Sequence, residues 1–417
     1  MNSRERVQAA LEHRAPDRTA RDFGATSVTG LSASFIYKLR REIGLPDKPI
    51  RIFCPYQMLG EVDEDLRRYL GADVIAIWPS GNLFGFDNTP VKPFTMGDGT
   101  PVLVPEAFNT DYAPDGRLYQ YARGDRNYPP AGVMPKGGFY FDATVRAIPL
   151  EDDQDPDPAD NLEEFALIDD ETLRRAEAEA KELYESTDYA IVGTGPGGTG
   201  LGDIAFVPGT MLPDPKGVRD LRDWYMSPLI RPDYIREVFD RQTDIAVENL
   251  KLYYQAVGDR IAAVTLCGAD FGNQRSLMIS TVTFRELYLP YYKKMTDWIH
   301  GHTKWKVFKH CCGAIEPMLP LLIEAGFDIM NPVQISAAGM DSQLLKQKYG
   351  DKLTFWGGGV NTQSTLPYGT PDEVREEVKR QARVLGAEGG FVFNTVHNVQ
   401  ANVPVENFLA MIEALSS

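Results

Sequence analysis

Residues 305–313 read WKVFKHCCG, and the fold turns on how that stretch is parsed. Trp305 to Lys309 is a short β-prone run, and His310-Cys311-Cys312-Gly313 stands where such a strand would end. Side chains two apart in an extended strand share a face, so His310 and Cys312 point the same way. Imidazole and thiolate are zinc donors, and proteins built on parallel strands with helical crossovers keep their chemistry at the strands' carboxyl ends. The competing reading is structural: a buried cysteine often serves as a small hydrophobe, and a histidine beside it packs in the core.

The same parsing recurs on both sides of this stretch. Apolar runs, most of them short and β-branched, occupy residues 21–25, 73–78, 189–194, 261–267, 305–311, 328–333, 353–358 and 390–395. Runs without alternation belong to strands covered on both faces. Between the later ones lie stretches with helical period at 234–256, 283–300, 315–325, 341–349 and 371–385. The last opens with Thr370 as N-cap, Pro371 in the first helical position and an acidic first turn. Eight alternating units predict an α/β protein with a closed (β/α)8 TIM barrel in preference to an open sheet.

Residues 81–160 break the alternation. They are rich in Gly, Pro, Asp and aromatics, with Gly97-Asp98-Gly99 and Pro114-Asp115-Gly116 as turn signals between β-prone runs at 101–105 and 117–121. The expectation is one barrel domain over 1–417 carrying a β-hairpin-rich insertion after its second strand. The insertion reads equally as a lid over the site, a dimer contact or plain elaboration, and its acidic tail, 151–157, as a solvated linker.

Composition excludes several classes of function. The chain has 417 residues, 43% of them hydrophobic, enough for a large core. A formal net charge of -16 with no basic run argues against nucleic acid or anionic lipid as partner. No apolar stretch approaches the roughly 20 residues that span a bilayer, and the opening residues read as a charged amphipathic helix, so a soluble, cytoplasmic protein is expected. Cys54, Cys267, Cys311 and Cys312 are too few for a disulfide framework and read as reduced thiols or metal ligands. The glycine-rich run at 193–198 lacks the Lys-Ser/Thr of a phosphate loop and a clear helix start, so nucleotide binding is not expected. His300 and His302, at the predicted end of a helix, are most simply partners of its dipole.

Several segments taken together resemble the uroporphyrinogen decarboxylase superfamily. They begin with Ser3-Arg4-Glu5-Arg6-Val7 and Pro16-Asp17-Arg18. Asp270-Phe271-Gly272-Asn273-Gln274, Phe284-Arg285 and Pro290-Tyr291-Tyr292 follow. Glu324-Ala325-Gly326-Phe327-Asp328, Asn331-Pro332-Val333-Gln334 and Trp356-Gly357-Gly358 keep the family order, which closes with Val396-His397-Asn398-Val399-Gln400 and Pro404-Val405-Glu406-Asn407. The superfamily contains cofactor-free porphyrinogen decarboxylases and zinc methyltransferases that exchange a methyl group with a corrinoid. The decarboxylases carry an N-terminal arginine segment that holds the substrate's carboxylates. Here Asp22-Phe23-Gly24-Ala25-Thr26 stands after Asp17-Arg18 and offers no such clamp.

The resemblance is closer to the methyltransferase branch, whose members hold zinc with His-x-Cys and a third ligand, usually Cys, near the C-terminus. It implies His310 and Cys312 as ligands, with His397 standing where that Cys would be. Asp270 or Glu316 are alternative ligands, and a metal-free site remains open. One thiolate and two imidazoles leave Zn²⁺ with a net charge of +1, a harder Lewis acid suited to oxygen. This implies methyl transfer from a methoxyarene or similar ether to the Co(I) of a corrinoid (cobalamin) carried by a partner protein. Asp270 is then the candidate acid, base or ligand-orienting group, and Gln274, Arg275, Asn331, Gln334 and Gln363 the candidate substrate contacts, with loop bracing as their alternative role. Phe108, Tyr112, Tyr119, Tyr121, Phe139, Tyr140 and Phe141 are candidates for an aromatic pocket, or for the insertion's own packing. The competing activities are a metal-free lyase centred on Asp270 and a non-catalytic binding protein. A homodimer is implied by the resemblance alone.

Overall fold

Seven of the eight expected runs form a strand within their bounds, and the first, expected at 21–25, is instead the two-residue strand Ala20–Arg21, which shares only Arg21 with it. In chain order they are β1 Ala20–Arg21, β2 Val74–Ile77, β3 Ala190–Gly193, β4 Ala263–Cys267, β5 Lys306–His310, β6 Ile329–Asn331, β7 Thr354–Trp356 and β8 Phe391–Phe393. The structure, a computed structural model, describes residues 1–150 and 156–416. The strands form one parallel sheet in the order β1-β8-β7-β6-β5-β4-β3-β2. The remaining seam, between β1 and β2, is bridged where Asp73 N–H donates to Arg21 O at 2.7 Å. The chain is therefore a (β/α)8 barrel.

Inward residues from the strands fill the barrel. Val74, Ala76, Val192, Ala263, Phe308, Ile329, Trp356 and Val392 form one buried cluster, with the Phe308 and Trp356 rings edge to face at 5.4 Å. Val7, Ala10 and Leu11 of the N-terminal helix Ser3–Leu11 pack on that cluster and stopper the barrel from its amino end. A second, larger cluster lies between the sheet and the outer helices, including the stacked and edge-on rings of Phe271, Phe284, Tyr288 and Tyr292.

Two expected helices are interrupted. The 283–300 stretch is Thr281–Leu287 followed by Leu289–His302, broken at Tyr288, because Pro290 has no N–H to give and opens a new first turn. The 315–325 stretch is a 3-10 turn, Glu316–Met318, and a short helix, Leu319–Glu324, each started by a proline. The Pro371–Leu385 helix matches its signals fully, with a Thr370/Glu373 capping box. His300 and His302 do close their helix, and His300 Nε2 also meets Asp328 at 2.8 Å.

The insertion contributes to two further sheets, one antiparallel and one mixed, in which Ile50–Cys54 and Pro101–Pro105 run parallel. Thr110–Tyr112, Leu118–Tyr121, Pro130–Met134 and Asp142–Ala143 form one. The other draws on both sides of residue 81: the hairpin Val91–Thr95/Pro101–Pro105 pairs through Pro101–Pro105 with Ile50–Cys54, which continues to Leu59–Gly60 and Leu31–Ser32. Those three upstream strands are absent from the sequence reading, being short and interrupted by turns. Residues 151–155 of the expected acidic linker lie outside the described residues.

Candidate metal centre

β5 alternates inward and outward, so Phe308 and His310 face the barrel while Lys309 faces the helices. His310 is the last residue of the strand, and the parallel register sets it directly against Asn331 of β6. Cys311 N–H then donates to Asn331 O at 2.7 Å, and the chain turns at Gly313, whose φ of +97° suits glycine. A Cβ there would sit 2.3 Å from the Gly272 carbonyl carbon, so the loops after β4 and β5 touch backbone to backbone.

Three side chains converge above the interior cluster. Donor atoms of His310, Cys312 and His397 all lie within 4.8 Å of one another. His310 Nε2 is 3.4 Å from Cys312 Sγ, and the two imidazoles stand nearly perpendicular, their centroids 5.4 Å apart. Donor pairs around tetrahedral zinc are about 3.3–3.6 Å apart, so the His310–Cys312 pair already has the right span. Burial pushes both imidazoles down to about 4, which keeps them neutral and able to donate a lone pair at physiological pH. Burial, reinforced by Asp270, pushes the Cys312 thiol up, so a cation must displace its proton to gain the thiolate. In donor type, spacing and protonation this set fits a zinc-like ion.

Asp270, in the loop after β4, lies beside the donors. Its Oδ1 accepts the Cys312 N–H at 2.6 Å and is 4.0 Å from His310 Nε2. Burial raises its carboxyl, and Tyr225 Oη–H donates to its backbone carbonyl at 2.8 Å.

Among the expected substrate contacts, the glutamines make the hydrogen bonds of their alternative role, loop bracing. Gln334 Oε1 accepts the Gly313 N–H at 2.7 Å, and Gln334 Nε2 donates to Gln274 Oε1 at 2.9 Å. Gln274 Nε2 donates to Ser336 O at 2.5 Å, and Ser336 Oγ–H to Gln363 Oε1 at 2.7 Å. The three glutamines thus brace the loops after β4 to β7 against one another. Asn331 is fully buried, with both ends of its amide engaged inside the barrel wall. Arg275 lies exposed on the turn after Asn273. Glu316 Oε1 accepts from Lys348 and Tyr349 at 2.8 and 2.9 Å, and Glu316 is not part of the converging donor group.

The insertion's aromatics do not gather into a pocket. Phe108 and Phe141 are buried in a ring cluster with Phe84 and Phe94, while Tyr112 and Tyr140 are exposed. Trp78, the residue after β2, packs on the interior cluster instead and meets Phe53 with centroids 4.1 Å apart. Sequence reasoning also passed over Lys309, whose buried ammonium donates to Ala269 O at 2.7 Å and His310 O at 2.6 Å, tying the ends of β4 and β5 together. A lysine deep in the run, after Val307 and Phe308 and unlike Lys306 at its start, was the available signal.

Comparison with known proteins agrees with this architecture. The uroporphyrinogen decarboxylase (URO-D) family pattern matches residues 210–417, which carry β4 to β8 and every donor named above. A uroporphyrinogen decarboxylase of Geotalea daltonii is 24% identical over 217 residues, 52% of this chain and 58% of that protein. One of Chlorobium phaeobacteroides is 28% identical over 141 residues, 32% of this chain and 37% of that protein. The matched stretches thus span from about a third to little more than half of those relatives. Among solved structures, a methyltransferase from Methanosarcina mazei superposes with a TM-score of 0.55 at 14% identity, covering 100% of this chain and 98% of that one. At that identity the likeness is one of fold alone, and the family assignment rests on the matched pattern, which places residues 210–417, from β4 to β8, in the uroporphyrinogen decarboxylase family.

Proposed function

We propose that the protein is a methyltransferase that takes a methyl group from an O-methylated small molecule, a methoxyarene or similar ether, and passes it to a corrinoid carried by a partner protein. The observation that carries this reading is the meeting of His310, Cys312 and His397 at the carboxyl end of the barrel, where neutral imidazoles and a thiol have little structural use. Zinc held by these residues would supply a Lewis acid for the ether oxygen.

The chain's own residues prepare the rest of the site. Asp270, raised by burial and 4.0 Å from His310 Nε2, would be able to hold a proton beside the donor set. The Phe53–Trp78 pair offers an apolar wall of the kind an aromatic donor requires. Residues 81–160 are taken as an insertion within one barrel domain.

The names of the curated relatives favour a second reading, metal-free decarboxylation. Charge weighs against it. Arg6 and Arg18 are spent on Asp73 at the amino end of the barrel, away from the mouth, and the chain's net charge of -16 repels a polycarboxylate.

Elemental analysis of anaerobically purified protein, beside His310→Ala, Cys312→Ala and His397→Ala variants that still fold, tests the proposal. About one zinc per chain, lost in each variant, and demethylation of methoxyarenes only with reduced corrinoid are the expected results. A well-folded wild type that stays metal-free after zinc addition would overturn it in favour of the lyase.

A further inference from the structure

The donor set leaves open how one imidazole is kept facing the metal position, and the hydrogen bonds behind His310 answer it. Asn331 Nδ2 lies 2.8 Å from the carbonyl oxygen of Trp356. A carbonyl only accepts, so the amide nitrogen must face it, and Asn331 Oδ1 must face His310 Nδ1 at 2.6 Å. An amide oxygen also only accepts. The proton of neutral His310 is therefore on Nδ1, and the Nε2 lone pair is left facing Cys312 Sγ. This assignment follows from the direction of each bond and needs no choice of amide orientation.

The surroundings leave the amide no alternative. Asn331 is completely buried, and its backbone carbonyl is already taken by Cys311 N–H. Trp356 is fixed in turn, its indole N–H donating to buried Asp22 Oδ2 at 2.9 Å. Residue 357 is a glycine at φ +94°, and a Cβ there would come within 3.3 Å of Asn331 Nδ2, so the missing side chain makes room for the amide. His397 has no comparable arrangement: its Nδ1 accepts the Asn398 N–H at 2.8 Å, which places its proton on Nε2.

We propose that Asn331 is the positioning residue of the metal centre, holding His310 as a preformed Nε2 donor through the relay Trp356 C=O to Asn331 to His310. The inference deepens the metal-dependent reading above and rests on it. An amide in this place orients the ring without adding charge, where a carboxylate would lower the net positive charge of the centre. His310 is then the ready ligand, and His397 the one that must exchange its proton or turn its ring when metal arrives.

Two measurements on N331L and N331D, beside wild type and H310A, test this. Long-range ¹H–¹⁵N spectra of metal-free, histidine-labelled protein should give His310 as the Nδ1–H tautomer in wild type and N331D, and as a mixture in N331L. Zinc affinity, measured by competition with a chromophoric chelator, should fall about 10- to 100-fold in N331L and stay within about threefold of wild type in N331D, whose buried carboxyl keeps a proton for the Trp356 carbonyl while its other oxygen accepts from His310 Nδ1. If N331L does not fold, N331S, too short to reach Nδ1, takes its place with the same expected loss. Wild-type affinity in the shortened variant, with H310A unable to bind, would overturn the positioning role and leave the metal reading intact. An Nε2–H tautomer at His310 in wild type would overturn it as well. A wild type that shows the Nδ1–H tautomer but binds no zinc would sink the metal reading, and this role with it.

Discussion

Asp73→Asn should destabilise the protein by about 3 kcal/mol, and the structure explains both the size and the place of the effect. Asp73 immediately precedes β2 and is fully buried. Its Oδ1 accepts from Ser3 Oγ, Arg6 Nη1 and Arg18 Nη2 at 2.7, 2.7 and 2.9 Å. Its Oδ2 accepts from Arg18 Nη1 and the Arg21 N–H at 2.7 and 2.9 Å. One carboxylate thus serves the N-terminal helix, the turn after it, and the seam between β1 and β2. The amide would turn an NH₂ toward donors and leave two guanidiniums without their shared anion. Losing one partner of a buried ion pair costs about 3–5 kcal/mol, and the low end applies because Arg6 keeps Asp17 at 2.7 Å and Arg18 is partly solvated. With an unfolding entropy of about 2.1 cal/mol/K per residue, a 417-residue chain loses roughly 3 °C in Tm. Urea titration and thermal scans of both proteins would measure this, with zinc affinity as control, since Asp73 is at the opposite end of the strands from His310. A loss under about 1 kcal/mol would refute the idea that the N-terminal arginines serve to close the barrel.

Zinc affinity should rise about tenfold per pH unit between pH 6 and 8, because the imidazoles, pushed down to about 4, are already neutral while the elevated Cys312 thiol must release one proton. A slope near zero or near two in chelator competition would show that the donor set is misassigned. Gly313→Ala should cost more than about 1 kcal/mol in urea titration and weaken zinc binding, since at φ +97° the new Cβ would strike the Gly272 carbonyl and displace Cys312. Binding and stability equal to wild type would refute the contact.

Much of the architecture was legible before any coordinates. Strands buried on both faces must be apolar throughout, so runs such as AIVG at Ala190–Gly193 and FVF at Phe391–Phe393 declare themselves locally. Capping does the same for Pro371–Leu385. The break at Tyr288 was not legible, because the apolar period runs on across it and a proline two residues later is equally at home in a first turn. The strand pairing of Ile50–Cys54 with Pro101–Pro105 was hidden for another reason: its partners lie far apart in sequence and neither run is long.

By itself the sequence determined what is local: the eight strand runs, the placing of His310 and Cys312 on one face by a spacing of two, and the acidic balance that turns away polyanions. Tertiary structure decided what depends on closure. His397, in the loop after β8, meets His310 because β8 and β5, with two strands between them, curve around one axis. Asn331 works behind His310 because parallel register makes them neighbours, and Gln274, Gln334 and Gln363 are braces because their loops crowd the same rim. The physical reason is common to all of these. A hydrogen bond between side chains depends on where two backbones pass each other, and in a barrel that is set by packing of the whole sheet.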